Sequence, residues 1–278
     1  MTAPRNSGAA RAAQAEPAVL LSDLSAGYAG HGPSPACTAL AGVSVRLEPG
    51  EVLGVLGSAG SGKSSLLRLL SGRADAAPPV ITGGSATVEG RRLGRMSRRR
   101  RAEHGFHVGY LSQSAGRELA ADRTAAETIA EPILSRDRRF NRVEAGRRVA
   151  ELVEAVDLPL SVMDAYPYEL SGGQRQRVAL AAALVLGPRI LLADEPVAAV
   201  DPGAAAAVID LLGRLRRTPG FSAVIVNHDP RLLRRVADRI LVLDEGRMIG
   251  YGPIETVLEA PTHPYVRALA AEFARTTS

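Results

Sequence analysis

Residues 51–72 read EVLGVLGSAGSGKSSLLRLLSG, and this stretch decides the fold. It begins with a short apolar run, which predicts a buried strand, and ends with a leucine-rich run closed by Gly72, which predicts a helix. Between the two lies Gly57-Ser-Ala-Gly-Ser-Gly-Lys63-Ser64, a match to G-x-x-x-x-G-K-S. Glycines at this spacing let consecutive N–H groups point at one phosphate, and the following helix offers its positive end. The stretch predicts a phosphate-binding loop in which Lys63 reaches the β- and γ-phosphates and Ser64 ligates Mg²⁺.

The composition makes Lys63 unusual. The chain has 34 basic and 29 acidic residues, a net charge of +5, and Lys63 is its single lysine. Because arginine stands at every other basic position, a compact ammonium at this one indicates a position that needs it.

The remaining composition excludes several classes of protein. With 278 residues, 46% hydrophobic and 23% charged, the chain is not disordered, fibrous or a disulfide-stapled miniprotein. A single cysteine, Cys37, cannot form an internal disulfide, so we expect a reducing compartment. The longest mainly apolar run is residues 178–186, which is shorter than a membrane span.

A second motif pairs two carboxylates with a buried strand. Residues 190–196 read ILLADEP, so an apolar strand ends in Asp194 and Glu195. Asp194 suits a Mg²⁺ shell, and Glu195 suits a general base that activates an attacking water. An ordinary acidic strand end is the alternative, and the phosphate-binding loop makes the catalytic interpretation stronger.

A third motif is Leu170-Ser-Gly-Gly-Gln174, ahead of a helix expected at 175–186. A serine and two glycines at a helix start form an anion site. One nucleotide needs only one phosphate loop, so a second anion site favours a nucleotide held by another copy. A plain helix cap by Ser171 is the alternative.

The order of elements indicates the fold class. Buried strands are predicted at 51–57, 190–193, 223–226 and 239–243, with helices between them. Further strands are expected at 43–47, 86–89 and 107–111, and mostly helix at 124–170 with breaks at Pro132, Pro159 and Pro167. Buried strands that alternate with helices predict an α/β fold with a parallel sheet.

The glycine loop, LSGGQ and LLADEP, in this order and spacing, resemble the nucleotide-binding domain of ABC transporters. The resemblance covers residues from about 18 onwards. It implies a P-loop NTPase (RecA-like) core with an antiparallel β subdomain and an inserted α-helical subdomain. It also implies a sandwich of two domains, in which Ser171 and Gly173 of one chain contact the γ-phosphate bound by the other.

The resemblance assigns roles residue by residue. It implies catalytic roles for Lys63, Gln113, Glu195 and His228, and Mg²⁺ ligation by Ser64, Gln113 and Asp194. Tyr28 resembles the aromatic residue that stacks on adenine, and Asp201 the aspartate of the cross-dimer loop. The implied ATP contacts are Tyr28, Gly57, Ser58, Ala59, Gly60, Ser61, Gly62, Lys63, Ser64, Ser65, Ser171, Gly172, Gly173, Gln174 and Asp201.

The same resemblance divides the chain. Residues 1–16 are expected to be a flexible tail, and 17–258 the nucleotide-binding domain with the helical insertion at about 114–173. Residues 259–278 contain Thr262-His-Pro-Tyr265 and form a C-terminal extension. With Glu127-Thr-Ile-Ala-Glu-Pro132 and Tyr166-Pro-Tyr-Glu169, this extension resembles the oligopeptide, dipeptide and nickel uptake branch.

That branch implies an ATPase subunit of a bacterial importer for peptides or nickel. Its expected partners are two transmembrane permeases, a second ATPase subunit of the same or a sister chain and, indirectly, an extracytoplasmic solute-binding protein. The ATPase subunit would lie at the cytoplasmic face of the membrane, as a peripheral protein. An exporter ATPase and a soluble ABC-type ATPase of DNA repair or translation remain alternatives. The branch resemblance implies a solvated helical surface for the basic stretch 91–101, with anionic lipid contact as an alternative and nucleic acid not expected.

Overall fold

The computed structural model describes residues 16–30, 36–73, 78–198 and 200–275. The strands are β1 (Val19–Tyr28), β2 (Cys37–Leu47), β3 (Val52–Gly57), β4 (Val80–Val88), β5 (Arg91–Arg92), β6 (Val108–Leu111), β7 (Ile190–Asp194), β8 (Ser222–Val226), β9 (Arg239–Asp244) and β10 (Arg247–Gly252). The helices are α1 (Lys63–Ser71), α2 (Arg98–His107), α3 (Ala125–Leu134), α4 (Arg142–Ala155), α5 (Gly172–Leu184), α6 (Pro202–Arg216), α7 (Pro230–Val236), α8 (Ile254–Glu259) and α9 (Pro264–Arg275), with 3₁₀ turns at Leu160–Asp164 and Pro167–Glu169.

The larger sheet has the order β10-β9-β3-β8-β7-β6. Strand β10 is antiparallel to β9, and the other neighbours are parallel. Helices and the second sheet cover its two faces, which is why β3, β7 and β8 are continuous apolar runs. The carboxyl ends of β3, β7, β8 and β9 meet at one edge, where loops of α/β sheets bind ligands.

The two faces of this sheet belong to different cores. In β3, Val52 and Leu56 face the core that contains α6 and α7, whereas Leu53 and Val55 face the core that contains α1 and the second sheet. This alternation follows from the two-residue period of a strand. Helix α1 is therefore held between the two sheets, which fixes the direction of its N-terminus.

The second sheet is antiparallel, with the order β2-β1-β4-β5. It confirms the expected antiparallel β part of the fold, and its strands are longer than the sequence indicated at 43–47 and 86–89. Residues 31–35, between β1 and β2 in the sequence, lie outside the described residues. Tyr28 and Cys37 are register partners at that end of the sheet.

Between β6 and β7 the chain is mainly helical, and α3 and α4 both pack on α5. The expected break at Pro132 was wrong, because α3 continues to Leu134. Proline lacks one N–H donor, and in the last turn of a helix this costs a single hydrogen bond. Helix α3 begins at Thr124, whose side chain forms a capping box with Glu127.

Two further boundaries differ from expectation. Helix α5 begins at Gly172 and not at 175, because Ser171 caps it and the two glycines form its first turn. The basic stretch 91–101 is not one helical surface: Arg91–Arg92 is a strand, and α2 begins at Arg98. The expected tail at 1–16 lies outside the described residues except for Glu16. In the ranges that the structure describes, no helix is long and apolar enough to cross a membrane.

Candidate functional site

The glycine loop joins β3 to α1 and curls around the side chain of Lys63. The Lys63 ammonium donates to the carbonyl oxygens of Gly57 at 2.9 Å and Ser58 at 2.7 Å. It also lies 3.4 Å from the Ser61 hydroxyl. Because these contacts span the loop, the lysine holds its backbone in a closed curve.

Two of the glycines are required by close packing. Gly57 has φ +150°, and a Cβ there would lie 2.2 Å from the Leu243 carbonyl oxygen. Gly62 has φ +100°, and its Cβ would lie 2.3 Å from the Ala39 oxygen. Neither position has room for a side chain. Glycine is therefore required at position 57 by the contact with β9 and at position 62 by the contact with β2.

The end of β9 also fixes the loop. The Ser58 hydroxyl donates to Asp244 Oδ1 at 3.0 Å, and Gly246 N donates to the Ser61 carbonyl oxygen at 3.1 Å. Sequence reasoning did not assign Asp244 to the site. The available signal was its position directly after a buried parallel strand, at the same sheet edge as Asp194.

Asp194 lies beside the start of α1. It is 3% exposed, and the Ser64 hydroxyl favours its ionised form. Burial raises the pKa of Asp194, the Ser64 hydrogen bond opposes this, and the Glu195 charge raises it further. Burial lowers the pKa of Lys63, while Asp194 and Glu195 raise it. One ammonium and two carboxylates therefore form a coupled, partly desolvated cluster.

Glu195 and His228 come together across β7 and β8. Glu195 has φ +50°, an uncommon conformation for a residue with a side chain, and its N–H donates to the Val226 oxygen at 3.0 Å. Its Oε1 lies 3.7 Å from His228 Nδ1. The Glu195 side chain is 21% exposed and that of His228 78%. Both line a cavity of about 380 Å³ together with Asn227.

A second cavity, of about 220 Å³, is lined by residues of the loop itself. Tyr28 forms one wall, and its hydroxyl is 3.0 Å from the Ser65 hydroxyl. The cavity lining is completed by Cys37, Thr38, Ala39, Gly60, Ser61, Gly62, Lys63, Ser64 and Ser65. Tyr28 therefore lies next to the loop, although it is 37 residues from Ser65 in the sequence.

The remaining predicted residues lie apart from these two cavities. Ser171 caps α5, and its backbone N–H and hydroxyl form a reciprocal capping box with Gln174. Asp201 caps α6 by accepting from Ala204 N at 3.0 Å, and this bond lowers the pKa of Asp201. Gln113 is exposed in the turn after β6. None of these residues is among those that line the two cavities.

A loop that closes around its lysine, a serine hydroxyl that favours an ionised aspartate, and a glutamate that follows this aspartate at the end of β7 define a P-loop ATPase. Residues 40–198, more than half of the chain, match the ABC transporter family. The chain belongs to this family, and it is an ABC-type ATPase that binds and hydrolyses ATP.

Related proteins and structures agree with this assignment. The chain is 37% identical over 255 residues to the methionine import ATP-binding protein MetN of Caulobacter vibrioides, covering 91% of this chain and 72% of the relative. It is 35% identical over 237 residues to the oligopeptide transport ATP-binding protein OppF of Escherichia coli, covering 85% and 70%. The dimeric, post-hydrolysis structure of the ATP-binding cassette MJ0796 bound to ADP and Pi superposes with a TM-score of 0.76 at 27% identity, over 85% of this chain and 98% of that one.

Proposed function

We propose that this ATPase is the energising subunit of a bacterial ABC importer, with peptides as its substrate class. The likeness to the methionine and oligopeptide import proteins supports import rather than export. The likeness to OppF supports peptides, together with the His-Pro-Tyr segment at the start of α9. Nickel stays a prediction from the sequence resemblance alone.

The observation that carries the proposal is the separation of two anion-binding motifs. The loop at 57–64 lines one cavity, and the charge of its Lys63 interacts with Asp194 and Glu195. Glu195 and His228 line the other cavity. Ser171 lies exposed at the start of α5 and lines neither. We propose that Ser171, Gly172, Gly173 and Gln174 complete the site of a second subunit, with Asp201 at the interface. The dimeric arrangement of the cassette MJ0796 supports this reading.

The oxygen donors at the loop fit a magnesium ion. The described residues include no cluster of three or more His, Cys, Asp or Glu side chains that could hold a metal. Mg²⁺ with a nucleotide needs fewer protein ligands, because phosphate oxygens and waters supply the rest. The adjacent Ser64 hydroxyl and Asp194 carboxylate meet that need, and we propose Gln113 as a further ligand. Bound there, the ion would neutralise phosphate charge.

We propose that Glu195 is the general base. Its backbone has a positive φ and is held by the hydrogen bond from its N–H to the Val226 oxygen, and Glu195 lines the cavity that His228 also lines. A carboxylate in this position accepts a proton from a water that attacks the γ-phosphate. His228, mostly exposed, would contact the γ-phosphate, and Lys63 would bind the β- and γ-phosphates.

The division of the chain into domains, with a helical insertion at about 114–173, is part of the proposal. This insertion would transmit nucleotide-driven closure to two transmembrane permeases. The subunit would then be peripheral, at the cytoplasmic face of the membrane.

The variant E195Q tests the catalytic part. We expect phosphate release to fall by about 10²-fold or more, while ATP affinity changes only a few-fold, because the amide keeps the shape and loses the basicity. The matched control is E245Q, since Glu245 is exposed and has a similar φ of +45°. Turnover by E195Q close to that of the wild type, or an equal loss of ATP affinity, would refute the role as base.

Co-purification tests the transport part. The tagged chain is isolated from native membranes in mild detergent, and its partners are identified by mass spectrometry. We expect two multi-span permeases and a second ATPase subunit. Recovery of ribosomal or DNA-associated partners without membrane proteins would contradict the proposal.

A further inference from the structure

A pocket of about 300 Å³ lies at the end of α1 that is remote from the nucleotide loop. We call it the arginine pocket, and it is lined by Ser71, Arg73, Arg98, Arg101, Ala102, Gly105, Val108 and Arg136. Four of these eight residues are arginines, and none is acidic. Helix α1 has nine residues, so the pocket is separated from the loop by about 13 Å of helix.

Buried contacts hold α2 against α1 and shape one side of the pocket. His104, 1% exposed, lies with Nε2 at 2.8 Å from the Leu70 carbonyl oxygen. Arg101 Nε donates to the Gly72 oxygen at 3.1 Å. Basic side chains near the last carbonyl groups of a helix stabilise that helix end, so these two bonds hold α2 against the end of α1. Arg98 lies three residues before Arg101 and therefore on the same face of α2.

Arg136, which follows α3 in the chain, is a further lining residue and is also held in place. Its Nη1 donates to the Pro132 oxygen at 2.9 Å, and its Nη2 to the Gly105 oxygen at 3.4 Å. The guanidinium lies 5.1 Å from the ring centre of Phe106. A Cβ at position 105 would lie 2.9 Å from Nη2, so the glycine leaves room for the guanidinium. Little side-chain entropy remains to be lost when Arg136 binds a ligand.

The charges in the pocket are not balanced by its own lining. Burial lowers the pKa of Arg136, Glu131 on α3 raises it, and Arg73 lowers it. Glu103, the acid on α2, is engaged elsewhere, since it pairs with Arg99 at 2.9 Å. Cations placed around one concave space repel each other, and an anion between them removes that repulsion.

We propose that the arginine pocket binds a phosphate group, carried either by free phosphate or by an anionic phospholipid headgroup. Guanidinium groups present planar, paired donors that match the oxygens of phosphate, and several such groups around one pocket favour a multivalent anion. Ser71 adds an uncharged residue to the lining, and its hydroxyl donates to the Arg68 oxygen at 2.8 Å. The proposal does not depend on the importer function, because the pocket and the nucleotide site use different residues.

The test compares two double variants of equal charge change. R73Q/R98Q removes two lining arginines. The control R99Q/R100Q removes two arginines of α2 that do not line the pocket. The Arg99 side chain is 89% exposed. One probe is inorganic phosphate, titrated by calorimetry with the nucleotide site saturated by a non-hydrolysable Mg-ATP analogue. The other is sedimentation with phosphatidylglycerol vesicles, against phosphatidylcholine vesicles.

We expect R73Q/R98Q to weaken binding about tenfold or more, and R99Q/R100Q to change it less than about twofold. Binding of inorganic phosphate identifies free phosphate as the ligand, and selective binding of phosphatidylglycerol vesicles identifies the headgroup. No binding of either probe, or equal weakening by the two double variants, would overturn the proposal. ATP affinity is measured on the same proteins. Unchanged ATP affinity in both double variants shows that they are folded, and a loss of phosphate binding is then specific to the arginine pocket.

Discussion

Tyr28 offers a test of how the base of ATP is held. Tyr28 faces the 220 Å³ cavity beside the loop, and its hydroxyl contacts Ser65 on α1. If its ring stacks on adenine, Y28A removes a contact worth about 1–3 kcal/mol. This corresponds to about 5- to 150-fold weaker ATP binding. Inorganic tripolyphosphate has no base, so its affinity for the loop should change less than about twofold in the same variant.

Isothermal titration of both ligands separates stacking from a structural effect. The control Y28F keeps the ring and loses the contact with Ser65, so its affinity for ATP should stay within a few-fold of the wild type. Equal weakening of ATP and tripolyphosphate binding by Y28A would show that the tyrosine acts by supporting the loop. Unchanged ATP binding by Y28A would exclude the base contact altogether.

Two other properties of the structure lead to measurable expectations. Lys63 is the single lysine and burial lowers its pKa, so an amine-reactive reagent should label one lysine, as measured by peptide mass spectrometry. ATP at about ten times its Kd should slow this labelling about tenfold. Labelling at the same rate with and without ATP would contradict the contact between Lys63 and ATP. Burial also lowers the pKa of His104, while its bond to Leu70 raises it and Arg91 and His107 lower it. The folded-state pKa of His104 therefore lies below its unfolded value of about 6.5, and between these two values the unfolded chain binds more protons. As the pH falls through this range, the free energy of unfolding should fall by at most about 1.4 kcal/mol per pH unit for this group. Urea unfolding at about pH 7.5 and 5.5 should show a smaller fall for H104Q than for the wild type. The same fall in H104Q as in the wild type would refute the assignment.

The sequence predicted the parts of the site that are continuous along the chain. The glycine spacing of the loop at 57–64 and the apolar run that ends in Asp194 and Glu195 are patterns that can be read along the chain. The packing of β9 and β2 against Gly57 and Gly62, by contrast, is tertiary. The α/β class followed from the alternation of strands and helices. The failure at Pro132 is local too, since a proline near a helix end is tolerated when the rest of the helix packs on α5.

What only the tertiary structure decided is the set of contacts between distant segments. The bond from Ser58 to Asp244 joins residues 186 positions apart, and the approach of His228 to Glu195 depends on the pairing of β7 with β8. The arginine pocket unites the end of α1, α2 and the residue Arg136 after α3. In the sequence nothing distinguishes these arginines from the many others of the chain. Their convergence on one space results from the packing of α2 on α1 through His104, because side-chain packing, and not local backbone preference, selects which distant residues meet.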